Sequence, residues 1–188
     1  MQHVDDWELV ARAQAGDMAS FAELVQRYRD PVIHFCARML NSVQDAEDLA
    51  QETFVRLYRH LGRLTPRARF STVIFGIARN LALNALRDRR RRGLDKAVSL
   101  DVVQDRNPAP ESPVRQAQLR DLAKAIEDGI ERLSIEHREI LLLREVHGLD
   151  YDAIAKVTGC RKGTVKSRLA RAREQLRHRI TEMGDGLL

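Results

Sequence analysis

From Arg161 to Arg173 the chain reads RKGTVKSRLARAR. Arg161, Lys162, Thr164, Lys166, Ser167, Arg168, Arg171 and Arg173 fall on the side away from Val165, Leu169, Ala172, Leu176 and Ile180. Guanidinium groups can bond guanine edges in pairs, lysine and serine meet phosphates, and a helix N-terminus itself attracts phosphate. A solvated basic helix would carry the same charge, so the preceding residues decide. Asp150 is placed to cap a short helix, Tyr151–Thr158, that buries Ile154, Ala155 and Val157, and Gly159 stands at a turn four residues after the small Ala155. This spacing predicts a helix-turn-helix whose long second helix enters a DNA major groove. GCRKGTVKS is not a phosphate-binding loop: its glycines are four apart and no Gly-Lys-Ser/Thr follows.

A second set comprises Phe70, Ser71, Thr72, Arg79, Asn80, Asn84 and Arg87, leading into Arg89–Arg92. Amides and hydroxyls beside arginines suit reading unpaired bases while holding backbone phosphate. The run Arg87–Arg92 by itself reads equally as a helix end stabilised by its dipole. A third set is acidic: Asp45, Glu47, Asp48 and Glu52 gather at the start of a helix, where carboxylates complement the macrodipole. As Mg²⁺ ligands they lack a histidine within a turn or two, and carboxylates alone suit that ion only loosely. A protein-docking face, with Gln51, Phe54, Val55 and Tyr58 mixing apolar and polar groups, is the third reading. No catalytic residue, cofactor site or metal site is predicted. His34 and Cys36, on a mostly apolar helix, read as core packing, and Trp7 as a core or interface anchor.

The elements that must carry these groups are all helical, and no strand of any length alternates with period two. Asp17 can cap a segment with Phe21, Leu24, Val25 and Tyr28 on one side, which Pro31 interrupts or kinks before Val32–Leu40. Asn41 or Ser42 opens the next helix, with Ala46, Leu49, Ala50, Thr53, Phe54, Leu57 and Leu61 in a stripe. A loop, Gly62–Arg69, precedes a helix that starts at Ser71. In the second half Leu119, Leu122, Ala123, Ile126, Ile130 and Leu133 form one apolar face. Ser134 caps a helix through Ile140, Leu143 and Val146 that Gly148 ends. Between the halves, residues 94–114 contain Pro108, Pro110 and Pro113 and read as a flexible linker of about 70 Å extended reach, at ~3.5 Å per residue. The expected domains are 1–93 and 115–182.

Composition supports this division. The chain has 188 residues, with net charge +5. That figure averages segments of −4 (1–60), +8 (61–93), −4 (94–160) and +5 (161–188), so two polyanion-binding surfaces alternate with two acidic regions. The longest uncharged stretch, Phe70–Ala78, has nine residues, far short of a membrane span. Asp5, Asp6 and Glu8 sit where a signal peptide needs basic then apolar residues, and Cys36 and Cys160 have no CxxC spacing. A reducing cytoplasm is the expected location.

Four blocks together resemble the sigma-70 family of bacterial RNA polymerase initiation factors, in its extracytoplasmic-function (ECF) subfamily. ELVARAQAGDMASFAELVQRYRDPV is similar to the family's first helix pair, and DAEDLAQETFVRLYRHL to its segment that docks on the polymerase clamp helices. FSTVIFGIARNLALNALRDRRRR is similar to the helix that melts and reads the −10 element. LSIEHREILLLREVHGLDYDAIAKVTGCRKGTVKSRLARARE is similar to the domain that binds the −35 element and the polymerase flap. The resemblance implies that Asp45, Glu47, Asp48, Gln51, Glu52 and Phe54 contact core polymerase. It implies that the loop Gly62–Phe70 with Asn80 holds a base flipped from the non-template strand, supported by Arg79, Asn84 and Arg87. It also places Arg161, Lys162, Thr164, Ser167, Arg168 and Arg171 in the −35 major groove, and implies an anti-sigma protein as a partner. Where the family often has Ser/Thr followed by Trp-Leu, this chain has Thr72-Val73-Ile74, so a strand-separating wedge would come from Phe70, Phe75 or the pocket. The competing expectation is a stand-alone helix-turn-helix regulator with an N-terminal interaction domain.

Overall fold

A computed structural model describes the backbone of residues 4–93 and 113–184. Every regular element among these residues is helical. The N-terminal half contains α1 (Asp6–Gln14), α2 (Met18–Leu40), α3 (Val43–Arg59), a 3₁₀ turn (Leu61–Arg63) and α4 (Phe70–Arg91). The C-terminal half contains α5 (Pro113–Glu131), α6 (Ile135–Leu141), α7 (Tyr151–Thr158) and α8 (Lys162–Gly184).

Local chemistry explains most boundaries. Asp5, Asp17, Ser42, Ser134 and Asp150 each accept a backbone N–H in the first turn of the helix that follows, which satisfies donors the helix cannot. Asn41 ends α2 in the left-handed region, φ +52°, so the boundary uses both candidate residues: Asn41 closes one helix and Ser42 opens the next. Pro31 does not interrupt α2, which runs unbroken through it. The helix forgoes one hydrogen bond there, and the buried Leu24, Val32, Phe35 and Cys36 on either side offset the loss. Burial pushes the Cys36 thiol up to about 12, consistent with a packing role. The expected linker lies outside the described residues from 94 to 112. Its last two residues already belong to α5, with Pro113 at the first helical position, where a missing N–H costs nothing.

The largest departure from simple periodicity follows α6. Leu142–Val146 form a π-helical turn, which holds one more residue per turn than the α-helix and rotates everything beyond it. Val146, expected on the apolar face with Ile140 and Leu143, is therefore 49% exposed, while His147 turns inward. Leu119 and Leu122, placed by periodicity on an apolar face, are likewise exposed, whereas Ile130 of the same face and Leu133, just beyond α5, are buried as expected, joined by Ala125.

The two halves share a core. His147 lies against Phe75 of α4 (ring centroids 4.4 Å apart) and near Phe35 of α2 (5.9 Å). Beside them Arg79 of α4 forms a two-pronged ion pair with Glu139 of α6, at 2.6 and 3.1 Å, and the Glu139 side chain is 1% exposed. Arg138 is also buried. It donates to the Ile130, Glu131 and Leu133 carbonyls that end α5 and reaches the Arg38 and Met39 carbonyls and the Asn41 side chain at the end of α2. Arg38 adds a contact with Glu127 at 3.1 Å.

His147 makes this interface sensitive to acid. Its Nε2 is buried without a hydrogen-bond partner, and burial, then the neighbouring His34 and Arg38, lower its pKa to about 4. The unfolded chain binds a proton near pH 6.5 that the folded one refuses, so the stabilisation is complete above pH 6.5 and is lost as pH falls towards 4. The loss over that window is roughly 3 kcal/mol. In urea titrations at stepped pH, His147→Phe is expected to lose less stability than the wild type between pH 6.5 and 4; parallel curves would exclude His147 as the cause.

Candidate nucleic-acid interface

Helix α4 separates its groups by face. Asn80, Asn84 and Arg87 are exposed and recur at spacings of four and three, so they share one stripe. Asn84, Arg87, Asp88, Arg90 and Arg91 line a shallow open depression near the helix end. Arg79 sits on the adjoining face, occupied by Glu139. Ser71 is half-buried and Thr72 is buried.

Phe70 departs from expectation. At 1% exposure it packs edge-on against Trp7 (5.9 Å) and Tyr28 (5.2 Å), and Phe75 is 2% exposed. Neither ring stands at the surface as a strand-separating wedge. Both lie on the inward stripe of α4 with Ile74 and Ala78, where their apolar area is worth most. Nor does Ser71 open this helix: α4 begins at Phe70, after Arg69, without a side-chain cap.

In the second half Asp150 accepts the Ala153 N–H at 2.8 Å to start α7, and that bond lowers its pKa. Gly159 turns the chain at φ +70°, a left-handed conformation in which a side chain is strained. Val165, Leu169 and Ala172 then bury one face of α8. At Gly129 a Cβ would stand 2.5 Å from Leu176 Cδ1, so α5 and α8 approach closely there. The opposite face presents Arg161, Lys162, Lys166, Ser167 and Arg171 to solvent, with Thr164 and Arg168 half-buried. An Arg168 N–H points to Cys160 Sγ at 3.4 Å, which ties the side chain to the turn. Lys162 pairs with Asp152 at 2.7 Å and Arg173 with Glu145 at 3.0 Å. Such exposed pairs are worth about 0–1 kcal/mol, so they yield readily to phosphate.

The acidic set lies on α3. Glu47, Asp48 and Gln51 are exposed together with Val55 and Tyr58, which form the stripe's apolar end. Asp45 pairs with Arg89 of α4, and Glu52 with Arg56 at 2.7 Å. Phe54 points inward at 9% exposure and supports this face from beneath. Among the described residues, no group of three or more His, Cys, Asp and Glu side chains is arranged to hold a metal ion.

Comparison with known proteins bears directly on this arrangement. The family descriptions Sigma-70 region 2 and Sigma-70, region 4 match residues 24–92 and 123–176, the segments that carry the two basic helices. The chain is 39% identical to the RNA polymerase sigma-H factor of Pseudomonas aeruginosa over 91% of each chain. The chain belongs to the sigma-70 family. It is a promoter-recognising RNA polymerase sigma factor of the ECF type. It is also 32% identical to the ECF RNA polymerase sigma-E factor of Escherichia coli, across 95% of this chain and 96% of that one. Among solved structures, the sigma factor RpoE of Bartonella quintana, in complex with the anti-sigma factor NepR, superposes with a TM-score of 0.67 at 25% identity, covering 86% of this sigma factor and 96% of that chain. Among the described residues, no helix is long and apolar enough to cross a membrane.

Residue types and periodicity pointed to the exposed groups on α3, α4 and α8 and read Trp7 as a core or interface anchor, but they did not point to Gln14, which with Trp7 holds the loop before α4, nor to Arg138 and Glu139. Gln14 carried no signal beyond its position at a helix end. Arg138 and Glu139 follow Glu136 and His137 and directly precede the apolar run 140–143, so residue type does not separate them from those polar neighbours.

Proposed function

We propose that this sigma factor divides promoter recognition between its two basic helices. Asn80, Asn84 and Arg87 on α4, with the loop that precedes them, receive the opened −10 strand, and Arg79 joins them once released from Glu139. Ser71 and Thr72 support the start of α4, and Phe70 supports the loop from inside. Arg161, just before α8, and Lys162, Thr164, Lys166, Ser167, Arg168 and Arg171 on α8 meet the −35 duplex. Glu47, Asp48, Gln51 and Tyr58 form the docking face for core polymerase, with Asp45, Glu52 and Phe54 holding it in shape. The protein carries out no chemistry of its own and acts in the cytoplasm, where an anti-sigma protein is its expected regulator. Residues 94–112 would then span the distance between the two promoter elements.

The observation that carries this reading is the pair of exposed stripes on separate helices, one rich in amides and one in cations. That is the difference between reading unpaired bases and gripping a duplex. Mixing the protein with core polymerase and duplex promoter DNA is expected to give promoter-specific transcripts; no gain in specificity would defeat the proposal. Arg168→Ala is expected to weaken −35 duplex binding by about 1–3 kcal/mol, roughly ten- to hundredfold. Asn80→Ala is expected to leave that binding intact and impair strand opening at −10, followed by permanganate footprinting of unpaired thymines. Equal losses at both steps from either variant would contradict the division.

A further inference from the structure

The loop between the 3₁₀ turn and α4 is held from outside itself. Gln14, the last residue of α1, donates through Nε2 to the carbonyls of Leu61 (2.8 Å) and Leu64 (3.0 Å). Trp7, in the first turn of the same helix, donates through Nε1 to the Ala68 carbonyl at 2.8 Å. One short helix thus grips the loop on both sides of Thr65, Pro66 and Arg67, all three of which are exposed. The Arg67 N–H closes the tip onto the Thr65 carbonyl at 2.7 Å. Helix α1 is itself anchored: Asp6 accepts from the Tyr28 hydroxyl at 2.5 Å and from Arg27, whose guanidinium also donates to the Val4 carbonyl at 3.0 Å. Desolvation and then the Asp6 hydrogen bond raise the Tyr28 pKa well above its ordinary value, so its hydroxyl keeps the proton it donates.

We infer that α1 is the positioning element of the −10 loop, with Trp7 and Gln14 as positioning residues for base recognition. This rests on the proposal that the loop receives a base. The gripped atoms are backbone carbonyls, so the grip sets the loop's path whatever side chains the loop carries. Fixing a loop backbone costs conformational entropy, and a loop ordered before DNA arrives does not draw that cost from the binding step. The Trp7 ring also covers Phe70, the first residue of α4, so loop and helix start are set by one side chain.

The test uses the full chain with core polymerase on a promoter library randomised in both the −10 and −35 elements, with sequencing of the templates transcribed. Trp7→Phe keeps an aromatic ring over Phe70 and removes the N–H together with part of the indole ring; Gln14→Ala removes the other two bonds. Each is expected to flatten base preference at −10 positions by about fivefold, as loss of loop pre-organisation would, with −35 preference unchanged and the protein still folded at the assay temperature. Gln14→Lys, which restores a donor of similar reach at a helix C-terminus, is expected to recover most of the preference. Unchanged −10 preference in both variants would overturn the inference, as would parallel loss of −10 and −35 preference. A variant with Thr65–Arg67 replaced by three glycines separates the two layers. If it alone loses −10 preference, the brace fails and the loop reading stands. If it too keeps full preference, the loop does not hold a base and both fall.

Discussion

Arg138→Met is expected to lower folding stability by roughly 3–5 kcal/mol, the range for stripping one partner from a buried charged network. The side chain is 7% exposed, and its guanidinium donates to five backbone carbonyls and the Asn41 side chain. Methionine keeps the apolar stem and none of the donors. The last carbonyls of a helix have no partner within it, so α5 loses what completes its C-terminal end, and α2 loses the contacts at Arg38 and Met39. Each buried acceptor left bare costs about 1–3 kcal/mol, reduced where water enters. Burial lowers the Arg138 pKa, and the nearby Glu131 carboxylate opposes that shift by favouring the charged form. Arg138→Lys should therefore recover only part of the loss, since one ammonium cannot span acceptors on two helices. Urea unfolding followed by circular dichroism measures both, and a loss below 1 kcal/mol for Arg138→Met would show the network to be incidental.

The second large effect concerns Arg79 and Glu139. Arg79→Met would leave the Glu139 carboxylate nearly inaccessible to water without its cation, at a cost of about 3–5 kcal/mol if the halves stayed together. Opening the interface is the cheaper response once that cost exceeds the worth of the shared core around Phe35, Phe75 and His147. The variant is therefore expected to show a larger radius of gyration by small-angle scattering and faster proteolysis between the halves. Replacing both partners, Arg79→Met with Glu139→Leu, puts apolar volume where the charges were and is expected to restore the compact form. A double variant as open as the single one would mean that the pair does not hold the halves together. The same pair bears on promoter binding: while Glu139 holds Arg79, that guanidinium is unavailable to DNA.

Much of this molecule was legible in its amino-acid order. Asp17, Ser134 and Asp150 cap the helices expected of them, because capping involves neighbours only two or three residues apart. The α8 stripe of Val165, Leu169 and Ala172 is buried as its spacing requires, which leaves Arg161, Lys162, Lys166 and Arg171 on the outside. On α4 Asn80, Asn84 and Arg87 are exposed, whereas Phe70, expected among the same surface groups, is buried. Its aromatic type is equally at home in a core or on a base, and only Trp7 and Tyr28 closing over it show which. Val146 was misplaced for a different reason: a π-helical turn shifts the register, and local periodicity does not announce it.

Sequence alone therefore determined an all-α chain, its outward basic and acidic stripes and its membership in the sigma-70 family, since helix periodicity, capping and motif order are local properties. Tertiary structure decided which charges are spoken for. Arg79 and Glu139 lie 60 positions apart, Trp7 and Ala68 61, and Arg138 and Arg38 100. With 32 cations and 27 anions in the chain, residue type cannot say which of them meet. Burial makes that choice, because removing a charge from water is tolerable only where the fold supplies its partner.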